Sequence, residues 1–205
     1  MTDYELIVKE MELRKIEYFV HFTAERSLGS ILKNGILPVA TLRKNKIPFY
    51  YNDAKRIDTR EDAISLSVSF PNHEIFYRFR KAYPKQNWVV LLLDAKGIVC
   101  KDVAFYPHNA ANKVCASTPW EFNKGYENFV NMFRYPGRDP NICDAYTTDV
   151  QAEVMVRGEV EPELIKKIVF ADYWDAEMYK QIYPQISSTF IADATYFNQR
   201  KDSTI

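Results

Sequence analysis

"DAYTTDVQAEVMVRGEV", residues 144–160, changes character halfway. Its first half is polar and without period, whereas from Val150 onward Val150, Ala152, Val154 and Val156 alternate with Gln151, Glu153 and Met155. Period-two alternation predicts a strand near residues 152–160, with Gln151 and Glu153 on one face and the valines on the other. A carboxamide and a carboxylate therefore stand at the mouth of a core strand, directly after a long loop. A glutamate so placed usually just faces water on the solvated side of a half-buried sheet. A functional reading needs polar partners from elsewhere in the chain.

Working outward, "IEYFVHFT" (16–23) reads as a strand with His21 and Thr23 on one face. "AISLSVS" (63–69) places Ser65, Ser67 and Ser69 opposite Ile64, Leu66 and Val68, and "WVVLLLDA" (88–95) reads as a buried central strand. Shorter strands are expected near 99–105, 166–171 and 188–193. Helical spacing appears over 4–15, over 24–36 with Thr23 as cap and Gly35 as stop, over 73–83, and over 119–133 with Pro119 in the first turn. Residues 38–62 form a polar, basic connection, and residues 106–150 a long helix and loop insertion facing the substrate. The expected architecture is one α+β domain over residues 1–205.

Composition narrows the function classes. The 205 residues are 47% hydrophobic and 26% charged, and 27 basic residues balance 27 acidic ones, so a nucleic-acid partner needs a local patch rather than bulk charge. Cys100, Cys115 and Cys143 make an odd count with no CxxC, which argues against a disulfide framework or a zinc site and for a reducing cytoplasm. No run reaches the length of a membrane span. With six glycines, neither GxGxxG nor a P-loop can be written, and HExxH, GxSxG and an EF-hand loop are missing. A bound nucleotide must be held in some other way, and no metal is expected.

His21, Thr23, the serine face and Glu153 give three strands, each offering a polar set toward a common cleft. The series "HFT", "LGSILKNGIL", "NDAKRID", "FYPHNAAN" and "QAEVMV", running in that order from about residue 17 to 170, resembles the DarT family of DNA ADP-ribosyltransferase toxins. The resemblance implies an ADP-ribosyltransferase-like fold with a mixed, split β-sheet core and peripheral helices. It implies NAD as co-substrate, a base of single-stranded DNA as acceptor, and a cognate antitoxin with ADP-ribosyl hydrolase activity. Carried over residue by residue, His21 and Thr23 would hold the ribose and amide on the nicotinamide side, with Ser67 lining the NAD site. Arg56 in "KRID" would engage NAD and assist the chemistry, with Arg60 as the alternative, and Glu153 would be the catalytic carboxylate. "SLSVSFPN" is less aromatic than the matching strand of the best-known thymine-modifying members, which leaves the target base open.

The chemistry accounts for these residue types. Breaking the bond between nicotinamide and ribose builds oxocarbenium character, so a carboxylate at the ribose stabilises charge present mainly in the transition state. An arginine fork replaces the missing glycine loop at the pyrophosphate. Gln151, two residues before Glu153, both donates and accepts, as reading a base edge requires. Lys44, beside the aromatic Phe49–Tyr51, together with Asn109, Arg134, Arg138 and Tyr146, completes the expected substrate-binding set. The alternatives are transfer to RNA or protein, an NAD-using phosphotransferase, or an inactive nucleic-acid-binding module.

Overall fold

Apolar runs decide the order of the sheet. The computed structural model describes residues 1–47, 60–134 and 136–201. In chain order the elements are α1 (Asp3–Arg14), β1 (Tyr18–Ala24), α2 (Leu28–Asn34), α3 (Val39–Lys44), β2 (Ala63–Val68), α4 (His73–Ala82), β3 (Trp88–Asp94), α5 (Ala95–Val99), β4 (Asp102–Tyr106), α6 (Lys113–Ser117), α7 (Tyr126–Asn131), β5 (Glu153–Arg157), β6 (Ile165–Phe170), α8 (Tyr173–Ile182) and β7 (Phe190–Ala192). The strands form one seven-stranded sheet in the order β4-β5-β2-β1-β3-β6-β7. Neighbours are antiparallel except for β6 and β7, which makes the sheet mixed.

The sheet is also split. β1 pairs with β3 along its whole length, from Tyr18↔Asp94 to Ala24↔Trp88. Against β2 it pairs only at Phe19↔Val68 and Val20↔Ser67. Beyond that point the two half-sheets part, and the carbonyl of Ser65 meets the imidazole of His21 instead of a backbone amide. Strand edges left unpaired must find other partners.

One face of the sheet buries the large core, in which Phe19, Leu66, Leu91, Phe105 and Val154 pack against Ile7 and Met11 of α1 and Phe129 and Val130 of α7. α1 begins on a capping box between Thr2 and Glu5. The other face is covered in two patches. Val20, Val90 and Leu92 lie under Phe76, Trp88 and Phe197, with Phe22 stacked on Phe76 at 4.5 Å. Ala63, Ala104 and Met155 lie under Tyr106 and Trp120. Met155 is thus fully buried, and β5 is covered on both faces rather than solvated on one.

Local expectations fare differently according to their neighbours. Thr23 does not cap a helix, because the ladder with β3 continues through Thr23↔Val89 and Ala24↔Trp88, and a short 3-10 turn, Glu25–Ser27, then leads into α2. Gly35 does end α2, with φ +76 and a position where a Cβ would overlap the Val160 carbonyl. The helix expected over 119–133 divides into a 3-10 turn, Trp120–Asn123, and α7. Gly125 between them takes φ +85, and a Cβ there would sit 2.7 Å from a carboxylate oxygen of Asp3. Among the described residues no helix is long and apolar enough to cross a membrane.

Candidate active site

Glu153 is the first residue of β5 and pairs with Tyr106, the last of β4. The β2–β5 register ends at Leu66↔Val154, and one step further it sets Ser67 beside Glu153 at the place where β1 leaves β2. The turn after β4 returns to the same carboxylate: Ala110 N donates to Glu153 Oε2 at 3.0 Å. A half-buried acid with one oxygen held by a backbone amide keeps its direction.

Below it lies a wall of rings. The Arg60 guanidinium stands over Tyr106 at 5.1 Å and Trp120 at 5.6 Å, and it donates to the Thr118 carbonyl at 2.9 Å. Burial pushes the Tyr106 hydroxyl and the Cys115 thiol up from their ordinary values; Glu153 pushes both the same way, and Arg60 opposes it. Glu153 is therefore opposed in this corner by Arg60 and by Arg157, whose guanidinium stands over Trp120 at 4.3 Å. Arg56 and Phe49–Tyr51 lie outside the described residues.

His21 stands across the gap on β1. Its Nδ1 lies 3.1 Å from the Ser65 carbonyl oxygen, which can only accept, so Nδ1 carries the hydrogen. Thr23 is buried two residues on, and Ser67 Oγ accepts from Asn72 N at 3.1 Å, tying β2 to the start of α4. Alternation separates these groups: Val20 is paired with Ser67, so Ser65, Ser67 and Glu153 belong to one face, while His21 and Thr23 belong to the other. The sets meet around the split rather than on one continuous face.

The long insertion builds the opposite corner. Asp149 is its hub, with Oδ2 2.5 Å from His108 Nδ1 and Oδ1 accepting from Gln151 N at 2.7 Å. The Gln151 side chain donates from Nε2 to Glu74 Oε2 on α4 at 3.0 Å. Asn109 Oδ1 accepts from Ala111 N, which shapes the turn that presents Ala110 to Glu153. Arg138 donates to the carbonyls of Tyr146, Ile142 and Cys143, so its guanidinium staples the loop. The Tyr146 ring meets Phe70 edge-on at 5.7 Å and lies beneath Arg200. Arg134 and Lys44 are exposed at the ends of α7 and α3.

Sequence reasoning passed over Glu74, Asp149 and His108. His108 lies inside the quoted "FYPHNAAN", but its partner is 41 residues away, and Glu74 has only the pattern of a solvated helix position. Among the described residues, no three His, Cys, Asp or Glu side chains cluster as a metal site.

A family model described as "ssDNA thymidine ADP-ribosyltransferase, DarT" matches residues 20–197. Among solved structures, the chain is similar to Thermosipho africanus DarTG in complex with ADP-ribose (TM-score 0.65, 20% identity), covering 88% of this chain and 51% of that one. It therefore spans about half the length of that relative. It is similar to Thermus sp. 2.9 DarT in complex with ADP-ribosylated ssDNA (TM-score 0.56, 13% identity, 90% and 97% covered). The NAD+ complex of the same Thermus protein gives a TM-score of 0.52 at 14% identity, with 88% and 96% covered. No curated protein matches the chain.

Proposed function

The chain belongs to the DarT family of ssDNA thymidine ADP-ribosyltransferases, and from that premise we propose that it cleaves NAD at the split between β1 and β2 and transfers ADP-ribose to thymidine. The observation that carries this reading is Glu153: first residue of β5, gripped by Ala110 N, and next in register to Ser67 where the half-sheets part. A carboxylate fixed there stabilises the oxocarbenium sugar as nicotinamide leaves. His21 and Thr23 hold the nicotinamide side of the donor, and Arg56 engages NAD and assists the chemistry.

The acceptor comes in over the insertion. Gln151 reads the base edge, Tyr146 and Asn109 line its path, and Arg134, Arg138 and Lys44 supply cationic contacts to the strand. Thymine must lose a proton as its bond to ribose forms, and His108, oriented by Asp149, is the group suited to take it. A base stacked in a duplex cannot present that edge, so single strands are the substrate. A separate antitoxin with ADP-ribosyl hydrolase activity reverses the mark, and the protein works in the cytoplasm, where its three free cysteines stay reduced.

The test is incubation with labelled NAD and, in parallel, thymidine-containing single-stranded DNA, the same strand annealed to its complement, RNA and protein. Label on the single strand alone is expected. Equal label on the duplex, or label confined to RNA or protein, would overturn the assignment.

A further inference from the structure

Gln151 is held at two points, and the second has a chemical consequence. Its backbone N–H is fixed on Asp149 Oδ1 at 2.7 Å, while its side-chain Nε2 donates to Glu74 Oε2 at 3.0 Å. An amide side chain is nearly symmetric in shape but not in function, since rotating it by half a turn exchanges a donor for an acceptor. A carboxylate only accepts. Glu74 therefore selects the rotamer with the NH2 group toward itself, and Oε1 is left turned away from α4.

The position of Glu74 is itself determined. It lies in the first turn of α4, where a negative charge is favoured by the helix dipole. The preceding cap, Asn72, accepts from Ile75 N through Oδ1 and donates its own N–H to Ser67 of β2. The carboxylate that orients Gln151 is thus anchored to the strand that also flanks Glu153.

We propose that Glu74 is a positioning residue that fixes the amide of Gln151 in one orientation and thereby sets discrimination between thymine and cytosine. This rests on the reading of Gln151 as the residue that reads the acceptor base. At ring positions 3 and 4 the two pyrimidines are opposites: thymine presents N–H then C=O, cytosine a bare nitrogen then NH2. An amide locked with its remaining N–H toward position 4 pairs with the thymine carbonyl and leaves position 3, whose N–H proton is lost in transfer, open to the donor ribose. Against cytosine in the same pose it sets two donors face to face. A glutamine free to rotate fits either base. Glu74 forbids the rotated form, because its carboxylate would then face Oε1.

The experiment compares initial rates on two single-stranded oligonucleotides that differ by one thymidine-to-cytidine change, for wild type, Glu74→Gln, Glu74→Ala and Gln151→Ala. The rate ratio within each variant is independent of protein concentration and donor affinity, and a thermal melt confirms that each is folded. Wild type is expected to prefer thymidine, and the preference should shrink by roughly tenfold in both Glu74 variants, the scale of one base-edge hydrogen bond exchanged for a clash. A preference kept in both Glu74 variants but lost in Gln151→Ala overturns the role of Glu74 alone. A preference kept in all three overturns the reading of Gln151 beneath it.

Discussion

The two sides of the candidate cleft are built by different means. On the side proposed for the donor, His21, Thr23 and Ser67 sit on paired strands, and β1 is zipped to β3 from Tyr18 to Ala24. On the acceptor side, the turn after β4 and the loop before β5 are held by side chains, in the links His108 to Asp149, Gln151 to Glu74 and Arg138 to three carbonyls. A backbone ladder fixes a site against substitution, whereas side-chain links can be exchanged without disturbing the sheet. One half therefore suits a donor that never changes, and the other suits an acceptor whose choice can. Glu153 belongs to both, as a strand residue whose carboxylate is gripped by a loop amide.

The most disruptive way to break this contrast is to remove what both halves rest on. Phe129 of α7 is fully buried, with its ring edge-on to Phe105 at 5.2 Å and to Phe133 at 5.3 Å. Phe129→Ala should cost about 3–5 kcal/mol of folding stability, read from chemical denaturation, and donor and acceptor functions should fall together.

Next comes the residue the halves share. Glu153→Gln should lower transfer and the slow hydrolysis of NAD by about 2.7–4 kcal/mol in barrier, roughly 100- to 1000-fold, with the melting temperature nearly unchanged. Loss of transfer with intact hydrolysis would place Glu153 on the acceptor side only.

Arg138→Ala sharpens the contrast, since it touches one side alone. Losing its bonds to Ile142, Cys143 and Tyr146 should destabilise the loop by about 1.5–3 kcal/mol. Hydrogen exchange should rise over residues 138–149 and stay unchanged in β1 and β3, and transfer to DNA should fall further than NAD hydrolysis.

The smallest effect reports on charge. The Cys115 thiol is pushed up first by burial and then by Glu153, against Arg60. At neutral pH it should react with iodoacetamide more slowly than exposed Cys100. Glu153→Gln removes a negative neighbour, lowers the thiol's pKa and should speed its alkylation modestly. No change would mean that Glu153 and Cys115 are not near each other.

The donor side was the legible one. β1, β2 and β3 announce themselves by period and β-branched content, and their ends fall within about two residues of expectation. Glu153 and Gln151 could be singled out because a short stretch carried both the strand period and the polar interruption. What stayed hidden depends on long-range partners: Asp149 meets His108 across 41 residues, and Gln151 meets Glu74 across 77. Of the four helices that escaped, α3, α5, α6 and α8, two did so for reasons visible in their own residues. α5 is a single short turn begun by the Asp94 cap, and α8 buries only Ala176 while exposing Trp174, Met178 and Ile182, so its pattern misleads about which face is inward. Arg138 hides a structural part as well, because charge in a loop reads as exposed whereas its guanidinium is turned onto carbonyls of its own loop.

We propose that one carboxylate, Glu153, set where the sheet divides, drives transfer of ADP-ribose to thymidine of single-stranded DNA. The direct measurement is mass spectrometry of a single-stranded oligonucleotide carrying one thymidine, after incubation with NAD and either wild type or Glu153→Gln. One ADP-ribose on that thymidine is expected with wild type, and at most a trace with the variant. Modification at equal rates by both proteins, or addition to an otherwise identical strand lacking thymidine, would contradict it.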